Sequence, residues 1–149
     1  MERLNFPDFN FRIKGSDPDF HIFDIIRKKF VALSPEEWVR QNVLHLFTET
    51  LKYPPTLISV EKQITKAGKT MRYDIVVYNR NHIPAMIVEC KQAKVKLSSA
   101  TVEQVTRYNA FAKAGYVYIT NGITHFIYNV DFINSTFKTE DKFPAFSDL

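Results

Sequence analysis

Apolar residues recur at helical spacing in Trp38, Val39, Val43, Leu44, Leu46 and Phe47, and the residues before them carry the signals that start a helix. Ser34 can cap it, Pro35 suits its first turn, and Glu37 stands where a capping box needs an acid, so a helix is expected from residue 34 to about residue 51, where Tyr53-Pro54-Pro55 stops it. Three stretches of strand composition follow, at residues 57–64, 71–78 and 85–91, parted by Lys66-Ala67-Gly68-Lys69 and Asn79-Arg80-Asn81-His82. They predict a meander. Ser98 and Ser99 offer caps for a second helix that carries Val102, Val105, Tyr108, Phe111 and Ala112 and closes at Lys113-Ala114-Gly115. Strands are expected again at residues 116–120 and 123–130, split by the hairpin signal Asn121-Gly122, and the tail after Asp131 carries little pattern. Upstream, extended stretches at residues 9–14 and 21–33 flank Gly15-Ser16-Asp17-Pro18 and read as an added hairpin.

The expected organisation is therefore an N-terminal hairpin extension, residues 1–33, before a single α/β domain, residues 34–149. Its order is helix, three strands, helix, two strands, with a central mixed sheet flanked by helices and a right-handed crossover between residues 85 and 120. A length of 149 residues with 45% hydrophobic, 14% aromatic and 24% charged positions fits one globular core and excludes a disordered or fibrous chain. The single cysteine, Cys90, excludes an intrachain disulfide and a thiolate-rich zinc site. No signal-peptide pattern opens the sequence and no apolar run nears the length of a membrane span, so a soluble, cytoplasmic protein is expected. The formal charge of +4 is compatible with an anionic partner without singling one out.

Charge inside the strands carries the chemistry. Asp74 lies in Met71-Arg72-Tyr73-Asp74-Ile75-Val76-Val77, and Glu89 and Lys91 lie in Met86-Ile87-Val88-Glu89-Cys90-Lys91. Buried charge is costly unless it is paired or bound to metal. A turn centred between Asn81 and His82 sets Asp74 opposite Glu89, with Cβ atoms about 5 Å apart, and period-two alternation turns Lys91 to the same face and Cys90 to the other. Two carboxylates that can hold Mg²⁺, beside an ammonium that can steady a hydroxide or a pentavalent phosphorane, suit phosphodiester hydrolysis. An acid-x-Lys triplet alone is weak, since about 1.4 are expected by chance at this composition. Glu140-Asp141-Lys142 is a second copy, without a partner strand. His21, His45, His82 and His125 lack ligand spacing.

Asp74 followed by Glu89-Cys90-Lys91 on successive strands after a glutamate-bearing helix resembles the PD-(D/E)xK nuclease superfamily. Gln104-Val105-Thr106-Arg107-Tyr108 is similar to the QxxxY element of RecB-like nucleases and of the N-terminal nuclease domain of type I restriction enzyme restriction subunits. "RYDIVVYN", "IVECKQ", "QVTRYN" and "YITNG" carry the resemblance over roughly residues 34–130; Tyr73 stands where the motif has proline, and no helicase motor is present. The resemblance implies a restriction-endonuclease-like core and a metal-dependent nuclease that hydrolyses DNA, of restriction or DNA-processing type. Asp74 and Glu89 would be ligands of Mg²⁺, with Mn²⁺ as substitute, and the Cys90 carbonyl a further ligand. A first-helix glutamate would join them; Glu37 fits the family position, although the capping box also explains it and ideal helical geometry brings Glu36 nearer the apolar face. Lys91, Gln104 and Tyr108 would be catalytic. Arg72 and Arg107 are the candidate nucleic-acid contacts, while solvation is the commoner role for them and for Arg40. DNA is the implied partner, with a homodimer or a larger restriction or repair complex around it and no membrane. The alternatives are a catalytically silent nucleic-acid-binding or complex-forming module, against which the intact Asp, Glu and Lys argue, and a nucleotide hydrolase.

Overall fold

A computed structural model describes residues 1–149. The N-terminal segment is a three-stranded antiparallel sheet, β1 (Ile13–Lys14), β2 (His21–Asp24) and β3 (Lys29–Ala32), rather than the expected hairpin. The stretch 21–33 is broken because the Asp24 carboxylate accepts the backbone N–H groups of Ile26 (2.8 Å) and Arg27 (2.6 Å), an Asx turn that folds the chain back on itself. The segment is packed onto the domain: Ile22 is fully buried, and the Phe11 ring lies 4.7 Å from Trp38 and 4.5 Å from His45.

Helix α1 (Pro35–His45) starts as its cap predicts, with Ser34 Oγ accepting the Glu37 N–H at 3.0 Å. It runs on into a π-helical turn, Leu46–Thr50. The main sheet holds β4 (Ile58–Lys66), β5 (Lys69–Tyr78), β6 (Pro84–Cys90), β7 (Tyr116–Thr120), β8 (His125–Asp131) and β9 (Thr136–Glu140), side by side in that order. The β6–β7 pair is parallel and is joined through α2 (Ser99–Ala112); every other pair is antiparallel.

Each face of the sheet buries its own core. Val39, Val43, Leu44 and Phe47 pack against Ile75, Val77, Met86, Val88, Cys90 and Tyr118 on one side. Val105 and Ala112 of α2 pack with Val76, Ile87, Val117 and Ile119 on the other. Central strands covered on both faces read as continuous apolar runs, which is why 75–77 and 85–88 show no polar alternation.

Three local expectations change. The α2 terminus uses Lys113 in the left-handed region (φ 56°), not Gly115, because the buried Asn109 amide donates to the Ala114 carbonyl and accepts its N–H, both at 2.9 Å. The β7–β8 connection spans residues 121–124, with the Asn121 carboxamide oxygen accepting from Ile123 (3.0 Å) and Thr124 (2.8 Å), instead of a two-residue turn. The tail contributes β9, and Tyr53 donates its hydroxyl to the Pro144 carbonyl at 2.7 Å. No helix is long and apolar enough to cross a membrane.

Candidate active site

On the β5–β6 ladder Ile75 faces Val88, Val76 faces Ile87 and Val77 faces Met86. The register slips by one only beside the turn, at Tyr78 and Pro84. The paired ladder ends at Ile75 and Val88, and the same register carried one step on sets Asp74 beside Glu89. In place of a backbone bond, Asp74 Oδ2 accepts the Cys90 N–H at 2.7 Å. Because the N–H and C=O of one strand residue project to the same edge, the Cys90 carbonyl also points to the β5 side. Strand alternation breaks at this place as well. Tyr73 and Ile75 should share a face, yet Tyr73 joins the α2 core and Ile75 the α1 core. Opposite, Glu61 on β4 takes φ 52°, and the Asp74 carboxylate turns toward α1.

Glu89 is three-quarters covered, its carboxylate held 3.1 Å from Lys91 Nζ. Burial first, then the Asp74 charge, push its pKa up to about 7, against which Lys91 pulls it down. Burial alone would lower Lys91, but Glu89, Glu36 and Asp74 together hold its ammonium above the ordinary value. Glu36, on the first turn of α1, is raised by burial and by Asp74, with Arg40 and Lys91 opposing. The four groups Glu36, Asp74, Glu89 and Lys91 thus sense one another across α1, β5 and β6.

Glu37 is placed elsewhere. It is 6% exposed and both its oxygens carry arginine contacts, Arg27 on Oε1 and Arg40 on Oε2, each at 2.5 Å. Of the two first-turn glutamates it is Glu36, not Glu37, that the structure brings to the Asp74, Glu89 and Lys91 cluster. Arg40 is not solvated: it is 6% exposed, and its Nη2 approaches Asp74 Oδ1 at 3.4 Å and Glu36 Oε1 at 3.7 Å. Sequence reasoning missed this arginine, and the one local signal for it is its i,i+4 and i,i+3 spacing from Glu36 and Glu37.

Gln104 Nε2 donates to the Tyr108 hydroxyl at 2.9 Å on the exposed side of α2. The Tyr108 carbonyl accepts the Tyr73 hydroxyl at 2.6 Å, which ties α2 to the residue before Asp74. Neither Gln104 nor Tyr108 hydrogen-bonds the acidic pair. Arg72 is exposed and paired with Glu61 at 2.9 Å, and Arg107 is exposed on α2. A concavity of about 220 Å³ lined by Pro35, Trp38, Gln92 and Lys94 adjoins Glu36 and Lys91 in the chain. The largest, about 610 Å³ around Phe132, Ile133 and Phe137, includes none of the charged cluster.

The donors assembled here are carboxylate and carbonyl oxygens, the set that a hard dication takes. No three His, Cys, Asp or Glu side chains converge on one point, so a cation would be held by Asp74, Glu89 and backbone, with Glu36 nearby.

A family described as type I restriction enzyme R protein N terminus (HSDR_N) matches residues 35–144. A fragment of a protein provisionally assigned as the HsdR subunit of a type I restriction enzyme from Vibrio vulnificus superposes with a TM-score of 0.56 at 21% identity, over 78% of this chain and 24% of that one. A provisionally assigned nuclease of the DUF820 group from Anabaena variabilis superposes with a TM-score of 0.51 at 15% identity, over 82% of both chains. Curcumin synthase 1 of Curcuma longa is 34% identical over 95 residues, which are 64% of this chain and 22% of that protein. The chain thus spans less than a quarter of that relative.

Proposed function

The chain belongs to the family of type I restriction enzyme R protein N termini and has its nuclease-type fold, and from that premise we propose that it hydrolyses DNA phosphodiester bonds with Mg²⁺, Mn²⁺ serving as substitute. The observation that carries the reading is Glu89: a carboxyl lifted to about 7 by burial and by Asp74, 3.1 Å from the Lys91 ammonium, just beyond the last β5–β6 pair. Such perturbed, mutually facing groups concentrate where chemistry is done.

Asp74, Glu89 and the Cys90 carbonyl would hold the cation, with Glu36 rather than Glu37 as the first-helix carboxylate. Bound there, a dication supplies Lewis-acid polarisation of the phosphate and a more acidic water. Lys91 Nζ offers hydrogen bonds to the charge that gathers on the attacking and phosphoryl oxygens. Gln104 and Tyr108, joined by their own hydrogen bond, border the site on α2 and orient the substrate. Arg72, Arg107 and the groove of Trp38, Gln92 and Lys94 receive the phosphate backbone. The setting is a cytoplasmic restriction or DNA-processing complex, or a homodimer.

One observation favours a second reading. The Arg40 guanidinium already lies on Asp74, as it could in a nucleic-acid-binding or complex-forming module in which a fixed cation replaces the metal. The test is cleavage of plasmid, linear duplex and single-stranded DNA with Mg²⁺, Mn²⁺ or EDTA. Metal-dependent cleavage that Lys91→Ala reduces supports the nuclease; retained DNA binding with no cleavage under any metal supports the silent module.

A further inference from the structure

A chain of buried charge joins the N-terminal sheet to Asp74. Asp24, fully buried at the end of β2, accepts from Arg27 Nε at 2.8 Å and from Gln41 Nε2 at 2.9 Å. Arg27 Nη2 and Gln41 Nε2 converge on Glu37 Oε1, at 2.5 and 3.0 Å. The other oxygen of Glu37 holds Arg40 Nη1 at 2.5 Å, and Arg40 Nη2 reaches Asp74 Oδ1 at 3.4 Å. A guanidinium is a rigid fork, so fixing one of its terminal nitrogens fixes where the other points. Arg40 Nε and Gln41 Oε1 are the buried side-chain atoms in the molecule left without a hydrogen bond. A network selected for stability alone would satisfy them, and such local violations gather where function sets the geometry. Asp24 and Arg27 lie before residue 35, outside the part of the chain that matches the family.

We propose that Arg40 is a positioning residue for Asp74, and that Asp24 and Arg27 of the N-terminal sheet, acting through Glu37, set the place of its guanidinium. The sheet is then a working part of the site rather than an appendage. Asp74 is held from two sides, by Arg40 on Oδ1 and by the Cys90 N–H on Oδ2. Loss of the Asp24 charge leaves Gln41 on Glu37 alone and Arg27 on Glu37 and Glu61, which shifts Glu37 and lets Arg40 carry Asp74 off the Cys90 amide. The effect on catalysis rests on the nuclease reading; the effect on Asp74 does not.

The probe is the Cys90 amide, followed by hydrogen exchange in the isotope-labelled full chain in EDTA, for Asp24→Asn and for Arg27→Gln. Arg27 is more exposed than Asp24, 20% against 0%, so its variant is the second arm should Asp24→Asn fail to fold. The expected result is several-fold faster exchange at Cys90 with the Ile75 and Val88 amides unchanged, and kcat for DNA cleavage on the order of tenfold lower at unchanged KM. Unchanged protection at Cys90, or an equal loss along the whole β5–β6 ladder, overturns the proposal and leaves the network a purely structural one. If the wild-type chain cleaves no DNA, the nuclease reading fails while the Cys90 amide still decides the positioning role.

Discussion

Asp74 accepts the backbone N–H of Cys90 across the end of the β5–β6 ladder, 2.7 Å from donor to acceptor, so a carboxylate stands where a strand partner would otherwise be. The bond takes the place of the next β5–β6 rung, while Glu89 stays paired with Ile119 of β7 on its other side. It also fixes what Asp74→Asn does. The amide oxygen keeps the Cys90 bond while one negative charge leaves the Glu36, Asp74 and Glu89 group. Stability in EDTA is expected to stay within about 1 kcal/mol of wild type, since relief of repulsion offsets the loss of the Arg40 contact. Metal separates the two proteins. Binding to the native state adds about 2.7 kcal/mol at a hundredfold excess over Kd, and thermal melts with Mn²⁺ should show that increment in wild type and not in the Asn variant.

Apo stability should depend on pH through Glu89. Its folded pKa, about 7, lies above the ordinary 4.5, so the native state binds the extra proton between these values. Stability then falls as pH rises from about 4.5 to 7, by on the order of 1–3 kcal/mol. Urea denaturation in EDTA at pH 5 and 7.5 measures this, and Glu89→Gln should flatten the difference.

Lys91→Ala removes a donor and no ligand. Cleavage should drop by about a hundredfold or more while Mn²⁺ affinity, read by calorimetry, stays within a few-fold of wild type. A large loss of affinity would instead make Lys91 an organiser of the Glu89 carboxylate.

At the α2 terminus two substitutions should act in opposite directions. Asn109→Ala strips the buried Ala114 backbone of both its bonds and should cost about 2–4 kcal/mol. Lys113→Gly relieves a left-handed residue with an exposed side chain and should gain about 1 kcal/mol. Chemical denaturation of the pair checks both.

Much of this fold could be read from the chain because burial imposes periods on it. The expected register holds where Ile75 faces Val88, Val76 faces Ile87 and Val77 faces Met86, although the turn itself is centred on Asn81 rather than between Asn81 and His82, and a bulge between Val77 and Tyr78 makes up the difference. The Ser34 cap located α1 to within a residue. What escaped lacks such a signature. Four of the five β9 residues are exposed, so it shows no alternation to recognise. Glu36 and Glu37 are adjacent and both within helical reach of Arg40, and choosing between them needs the partner Arg27, which only tertiary structure supplies. The Asp24 connection spans 50 positions of sequence with no motif, and the αL residue Lys113 is dictated by a side chain four positions earlier rather than by its own type.

The central claim is that Asp74, Glu89 and Lys91 form one metal-dependent hydrolytic site, and single-turnover cleavage of plasmid DNA by wild type, Asp74→Asn and Glu89→Gln in Mg²⁺, Mn²⁺ and EDTA tests it most directly. The expected result is cleavage by wild type with either metal, none in EDTA, and loss of at least a hundredfold in each variant while melting still shows a folded protein. Cleavage that persists in EDTA, or that survives in both folded variants at the wild-type rate, would contradict it.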